Sequence, residues 1–534
     1  MKKTLMLLGA VITVFAAGCV CCKKECIAEK SNKQIKVGWA KNDITPLGPT
    51  FLAGQQFPRL ATEIHDPLFT SVMAVESENE KFIMISLDSI GFRQPLITKI
   101  RSIVSAATGV PEMNIIGFAT HTHSAPQYGE VVPKEYWNGG FKPTLGIGQG
   151  NNGVDVEEVR KKYPNLVDSK DYFFFLVDKI SDTAIRAWNS RKPSKIAYGM
   201  GEAAVGECRR IVVDGKGGVM YADEAMEGVS HAEGHVDHSL NIMATYSNCG
   251  KLTGLIINLA CPSQVNEAHK FVSADFWHYV REEVAKKYGK DVVVLPQCSP
   301  AGDQSPHKIM NRAADARMMK LRSQLENPVT EWKWSKRAYN AEYNDARCKE
   351  IARRVIVSLN DVLPVIKPAA EANPVVEHTV KTLELPPRLI TEQERDNAIA
   401  AVKRIETDMK KLGLTGFNGN LNWHRRVITR YNSKAKSVPR ELHVFRIGGA
   451  AFATNTFELY LDYGDRIKGA SKAEQTFLIQ LANAESSTYL PSRRSGTTGY
   501  GSAPASCIVT PEAGDMIVNE SVREINKMFE NKRK

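Results

Sequence analysis

The sequence predicts an α/β fold, arranged as one large mixed α/β domain over residues 36–534 behind an export and tether segment at residues 1–35. Three observations carry this. Short runs rich in β-branched and aromatic residues, bounded by turn formers, recur along the chain and read as strands. Amphipathic segments with apolar residues at three- and four-residue steps lie between them and read as helices. No internal repeat and no linker-like stretch divides the chain after residue 36, and large mixed sheets absorb such lengths in one unit.

The elements follow in order. Residues 31–34 form a polar tether. Residues 35–40, 68–75, 81–87 and 114–119 are predicted strands, and 95–108 a helix with Pro95 suited to its first turn, so that 81–119 reads as a βαβ-like unit. A helix is predicted over 173–190, then strands over 196–202, 240–246, 252–259 and 292–295, with a helix over 273–287. The long helical stretch 311–362 should be broken at Pro328. Strands at 375–385 and 443–453 flank a helical block at 391–412. Residues 486–506, dense in Ser, Gly, Thr and Arg, read as a functional loop, and 516–532 as a closing helix.

At the N-terminus, Lys2 and Lys3 precede an apolar run from Thr4 to Ala16, which is too short to span about 30 Å of hydrocarbon. Ala16-Ala17-Gly18-Cys19 resembles a bacterial lipobox, with Cys19 as the lipidated residue. This predicts a lipoprotein of the bacterial cell envelope, held at the membrane by an N-terminal lipid. Leu is usual where Ala16 stands, so ordinary cleavage and secretion, or an uncleaved anchor, are the alternatives. No other segment approaches transmembrane length. Of the ten cysteines, Cys19, Cys21, Cys22 and Cys26 cluster in the tether. The other six are scattered without a CxxC pair, so a disulfide framework is not indicated, while an oxidising compartment leaves room for a bridge or two. The net charge of +11 is spread among acids without a long basic tract. That favours a solvated surface over nucleic-acid binding.

Two segments carry chemistry. Thr120-His121-Thr122-His123-Ser124-Ala125-Pro126 follows a predicted strand, and positions i and i+2 on a strand share a face, so both imidazoles would reach one site. Neutral imidazole suits zinc, and a second His can orient a reacting oxygen; the bland alternative is two satisfied polar residues at a strand end. Pro300-Ala301-Gly302-Asp303-Gln304-Ser305-Pro306-His307 follows another strand, where a Gly turn would present Ser305 to a pocket; by itself it reads first as a turn with a capping Ser. It is not a GxSxG elbow.

Together these segments resemble the neutral ceramidase family. Val37-Gly38-Trp39-Ala40 with Asp43-Ile44-Thr45-Pro46 is similar to its "G-x-A-x-x-D-I-T-P" opening. Ile64-His65-Asp66-Pro67-Leu68 and Ser86-Leu87-Asp88 are similar to its next strand pair. The histidine segment is similar to its "THTHSGP", and 301–306 to its "AG-D/N-x-SP". Thr454-Asn455-Thr456-Phe457-Glu458 and the stretch from Leu481-Ala482-Asn483 to Tyr489-Leu490-Pro491 resemble its late carboxylate and tyrosine motifs. The likeness runs in chain order from Val37 to Val518.

The resemblance implies an exported zinc (Zn2+) amide hydrolase, acting on an N-acyl lipid or a related ester by metal-activated water. It implies His121, Glu458 and Tyr489 as metal ligands, with Glu485 competing for the first Tyr position. It implies His123 as substrate or oxyanion partner, and Ser305 beside the scissile bond. The family's second zinc His is absent from Asn258-Leu259-Ala260-Cys261-Pro262-Ser263-Gln264, where Cys261 is the candidate replacement. Local compensators are His231, Glu233, His235, Asp237 and His238, then Asp275 and His278, with His269 and His307 also in reach. A different metal, a metal-free serine- or cysteine-assisted site, and a non-catalytic ligand-binding lipoprotein are the alternatives. The expected partners are a small-molecule or lipid substrate and the membrane. The C-terminal immunoglobulin-like module of longer ceramidases is expected to be missing.

Overall fold

The computed structural model describes residues 34–55, 58–129, 156–221, 226–326, 341–412, 419–433, 435–484, 488–496 and 499–530. The tether with Cys19, Pro328 and Glu485 lies outside them.

An eight-stranded sheet organises the chain. Its first half holds β1 (Lys36–Asp43), β2 (Phe69–Glu76), β3 (Lys81–Leu87) and β4 (Ile115–Ala119). Its second half holds β5 (Lys192–Glu202), β6 (Ser239–Ser247), β7 (Leu252–Leu259) and β8 (Val293–Cys298). The spatial order is β8-β7-β6-β5-β1-β2-β3-β4. Within each half three strands run antiparallel, and a helical crossover then adds a parallel fourth: α1 (Gln94–Thr108) leads to β4, and α3 (Phe276–Tyr288) to β8. The halves therefore repeat one another in topology, although the sequence shows no repeat. Packing constrains which positions are apolar, not which apolar residue fills them.

Side-chain alternation gives each half two apolar faces. Outward-facing Val72, Ala74, Ile83 and Ile85 pack under α1 and α2 (Ser169–Asn189). Outward-facing Ile242, Ala244, Leu255 and Ile257 pack under α3 and α5 (Ala341–Ile366), which follows α4 (Arg312–Glu326). The inward set, with Met73, Phe82, Met84, Met243, Ile256 and Leu295, forms one core shared by the two halves. The sheet thus folds over on itself, and the Ser86 hydroxyl of β3 donates to the Pro296 carbonyl of β8 at 2.7 Å.

A four-stranded sheet closes this core with Phe445, Phe452 and Phe477. It consists of β9 (Val376–Leu385), β10 (Val438–Ile447), β11 (Ala450–Thr454) and β12 (Gln475–Ile479). The single strand expected at 443–453 is a hairpin instead. Gly448, at φ +62°, turns the chain between β10 and β11, a conformation that costs glycine least. The helix expected over 391–412 is α6 (Glu392–Lys411), and the closing helix, which begins at Pro511, is longer than expected. Two helices at Gly419–Tyr431 and Leu461–Ala470 and a three-stranded sheet around Arg210–Val213 lacked a legible pattern.

Candidate active site

Several strand carboxyl ends meet at one corner, the usual place for a ligand crevice in α/β sheets. The Thr120 N–H donates to Leu87 O at 3.0 Å, and the Ser263 N–H to Thr120 O at 3.2 Å, tying the ends of β3, β4 and β7. Ser299 N–H donates to Leu259 O, and Gln480 N–H to Cys298 O, both at 2.9 Å, adding the ends of β8 and β12. The Gln480 side-chain oxygen then accepts from Ala301 N and Leu459 N at 3.1 Å each, clamping the serine segment to the Glu458 segment.

His121 and His123 both reach this corner, by a route other than strand alternation. β4 ends at Ala119, and His121 lies in the left-handed region at φ +64°, costly for a residue with a Cβ and typical of functional sites. The two rings meet edge-on, with centroids 4.9 Å apart. His121 Nδ1–H donates to the Ile90 carbonyl at 2.7 Å, which directs its Nε2 into the pocket. That Nε2 lies 3.5 Å from Glu458 Oε2 and 3.3 Å from His123 Nε2. Glu458 and Tyr489 pair in a two-residue parallel bridge. Burial, and then the Glu458 carboxylate to which Tyr489 donates, push the phenol well above its ordinary range. Gly302 matters for close approach rather than for its own turn: a Cβ there would fall 2.3 Å from the Glu458 carbonyl.

Arg209 completes the centre and carried no motif. Its guanidinium donates to the Gly302 carbonyl (2.9 Å), Tyr489 Oη (3.1 Å), Tyr221 and Gln264 Oε1 (3.3 Å), and lies 3.8 Å from Glu458 Oε2. Its Nε–H is buried without a hydrogen-bond partner, a donor left for a ligand oxygen. Burial opposes its charge, but Tyr221, Tyr489 and Glu458 outweigh that and hold it cationic. Two adjacent arginines in an otherwise apolar run, Cys208-Arg209-Arg210-Ile211, were the one available signal. Gln264, at the end of the altered zinc segment, and Glu267, three residues further on, were given no role by the sequence, and no local pattern marks them.

Ser305 is buried at the margin of this centre. Its hydroxyl accepts from His307 N at 3.1 Å and touches Tyr221, one residue removed from Arg209. His307 joins through Nε2, 3.1 Å from the Gln264 carbonyl. Cys261 does not join: its thiol faces the Val205 and Pro262 carbonyls, and burial, then Cys298, push its pKa well up. The other compensators are dispersed. Glu233 pairs with Arg210, His235 with Asp465, and Asp237 with Lys468, while His231 is exposed. His278 meets Tyr279 edge-on and His269 meets Asn344, whereas Asp275 caps α3 and accepts from Asn266 N.

The donor chemistry does not fit a zinc centre. Tyr489 is engaged by Arg209, the guanidinium supplies a fixed cation beside the carboxylate, and Cys261 is a thiol turned away. Among the described residues no group of three or more His, Cys, Asp or Glu is arranged to hold a metal.

A folded-over mixed sheet with helices on its outer faces and a second sheet closing its core is the fold of the neutral ceramidases. The neutral ceramidase from Pseudomonas aeruginosa superposes with a TM-score of 0.61 at 16% identity, over 93% of this chain and 75% of that one. A ceramidase complexed with C2 superposes with a TM-score of 0.59 at 15% identity, over 93% and 76%. No family model and no curated protein matches the sequence. The likeness therefore establishes the fold.

Proposed function

We propose that this chain hydrolyses an acyl amide, or a related acyl ester, in the corner pocket. The observation that carries the reading is the convergence of His121 Nε2, Glu458 Oε2 and His123 Nε2 within 3.5 Å of His121, beside a buried cationic Arg209. Such a centre binds a carbonyl oxygen and stabilises the charge that develops on it, because Arg209 is fixed before the reaction and shielded from water. Glu458 and Tyr489 hold the guanidinium in place. The fold supports an N-acyl lipid as the substrate class, as in the ceramidases that share it. Zinc dependence, which the resemblance implies, finds His121, Glu458 and Tyr489 gathered with the Arg209 guanidinium set beside them, and no step is derived through a metal.

The full chain is assayed against a panel of N-acyl amides and acyl esters, with fatty-acid release and metal content both measured. Hydrolysis that survives chelation and falls at least 100-fold in Glu458→Ala is expected. Binding without turnover by any panel member would favour the second reading, a ligand-binding lipoprotein, which the lost zinc histidine motivates. The envelope location is proposed from residues 1–35, with a diacylglyceryl Cys19 as the species to be found by mass spectrometry. Among the described residues no helix is long and apolar enough to cross a membrane.

A further inference from the structure

The helix Gly419–Tyr431 carries three arginines and no acidic residue, and the three have different fates. Arg425 pairs with Glu406 at 2.8 Å. Arg430 donates from its terminal nitrogens to the Pro504 carbonyl and, at 2.9 Å, to the Arg388 carbonyl, which fastens the helix to two neighbouring segments. The Arg388 guanidinium holds the nearby Glu394 for itself, at 2.6 Å. Among the described residues Arg426 has neither a hydrogen-bond nor an ion-pair partner, although it is half-buried beside the Tyr500 phenol.

Positions 423, 426 and 430 stand at i, i+3 and i+7, so Trp423, Arg426 and Arg430 share one face of the helix. That face packs on residues 500–507. Trp423 stacks on Tyr500 with ring centroids 5.1 Å apart, while Arg430 reaches Pro504. Tyr500 also meets Tyr489 edge-on at 5.5 Å, and Tyr489 accepts from Arg209 in the corner pocket. A single ring therefore links Arg426 to the hydrolytic centre. Burial lowers the Arg426 pKa, and burial, then Arg388 and Arg426, bring Arg430 down to about 10 against the pull of Cys507 and Glu394. Both stay cationic at neutral pH. A half-buried cation with no counter-charge is costly to keep, and a bound anion removes that cost.

We propose that Arg426, backed by the charge of Arg430, is an oxyanion subsite for the substrate. The acyl conjugate hydrolysed here then carries an acidic group, a carboxylate, sulfonate or phosphate, on the part remote from the scissile bond. The inference rests on the hydrolase reading. A guanidinium presents paired N–H donors that match the oxygens of such a group, and bonds between charged partners are the strong ones. With the scissile carbonyl at Arg209, the Tyr500 and Trp423 rings stand along the way to Arg426 and suit an apolar spacer. Free phosphate offers the same oxyanion chemistry, so the two sources are separated by experiment.

The test compares wild type, Arg426→Gln and Arg426→Lys as full chains on substrates that share one acyl group. An N-acylethanolamine is the neutral member, and the matching N-acylglycine and N-acyltaurine are the anionic ones. Wild type should show kcat/KM on the order of 10-fold higher for the anionic members, carried by KM. The ratio should collapse to within about two-fold in Arg426→Gln, return in part in Arg426→Lys, and shrink as salt is raised. Inorganic phosphate that competes with the anionic substrates alone, and whose calorimetric binding is lost in Arg426→Gln, supports the subsite. Phosphate that slows neutral and anionic substrates alike overturns the substrate role. An active wild type without the preference, or a preference kept in Arg426→Gln, also overturns it. A wild type inert towards the whole panel overturns the hydrolase reading and the substrate role with it. Phosphate binding lost in Arg426→Gln would then still support the anion site itself, and its absence would overturn that too.

Discussion

At Arg209 one buried guanidinium holds four segments together, through Gly302, Tyr489, Tyr221 and Gln264. A charge of this kind is expensive to bury and more expensive to delete, because its partner Glu458 would stay buried without compensation. Arg209→Leu should therefore destabilise the chain by about 3–5 kcal/mol in denaturant unfolding, as well as abolishing turnover. The residue scale also shows how far motifs reach. His121, His123, Glu458 and Tyr489 were all legible because each sits in a short string that the resemblance marks. Arg209 and Glu267 were not, because their places at the centre are set by what packs against them and not by their chain neighbours.

At the scale of elements, most strands and helices follow directly from periodicity and punctuation. α6 is a clear case: Thr391 accepts from Glu394 N while the Glu394 carboxylate accepts from Thr391 N, a capping box readable from the spacing alone. Thr391→Ala should lower stability by about 1 kcal/mol in thermal unfolding and leave hydrolysis unchanged, since the cap joins Thr391 to Glu394 and Arg388, none of which contacts a residue of the corner pocket. Where element prediction failed, chain geometry intervened. Expected strand 443–453 breaks at Gly448; the strand before the histidines ends at Ala119 as expected, but the rings then meet through a left-handed turn at His121 rather than through pleat alternation.

At the scale of the molecule, the two sheets are pinned to each other by a buried polar network. Arg101 of α1 donates in bidentate fashion to Glu441 of β10 at 2.9 and 3.0 Å, and His443 and Asn483 also meet that carboxylate. Burial alone would raise the Glu441 pKa, but hydrogen bonds from His443 and Arg101 overcome it and bring the group down to about 2. A depressed carboxylate stabilises the fold above its unfolded pKa and loses that contribution as pH falls through the folded one. Stability should accordingly decline from about pH 4.5 towards pH 2, and Glu441→Gln should flatten that slope while lowering stability at neutral pH; melting curves across the range would show both.

The sequence by itself determined the α/β class and the order of most elements, since local periodicity is a property of neighbours in the chain, and through the family resemblance it marked His121, His123, Glu458 and Tyr489. Only the tertiary structure decided that the sheet folds over on itself, that its halves repeat in topology, that Cys261 turns away, and that Arg209, Gln264 and Glu267 complete the centre. The reason is physical. A buried charge or an idle thiol acquires its chemistry from groups hundreds of residues away, and their distances are fixed by the packing of whole layers, which no short stretch of chain encodes.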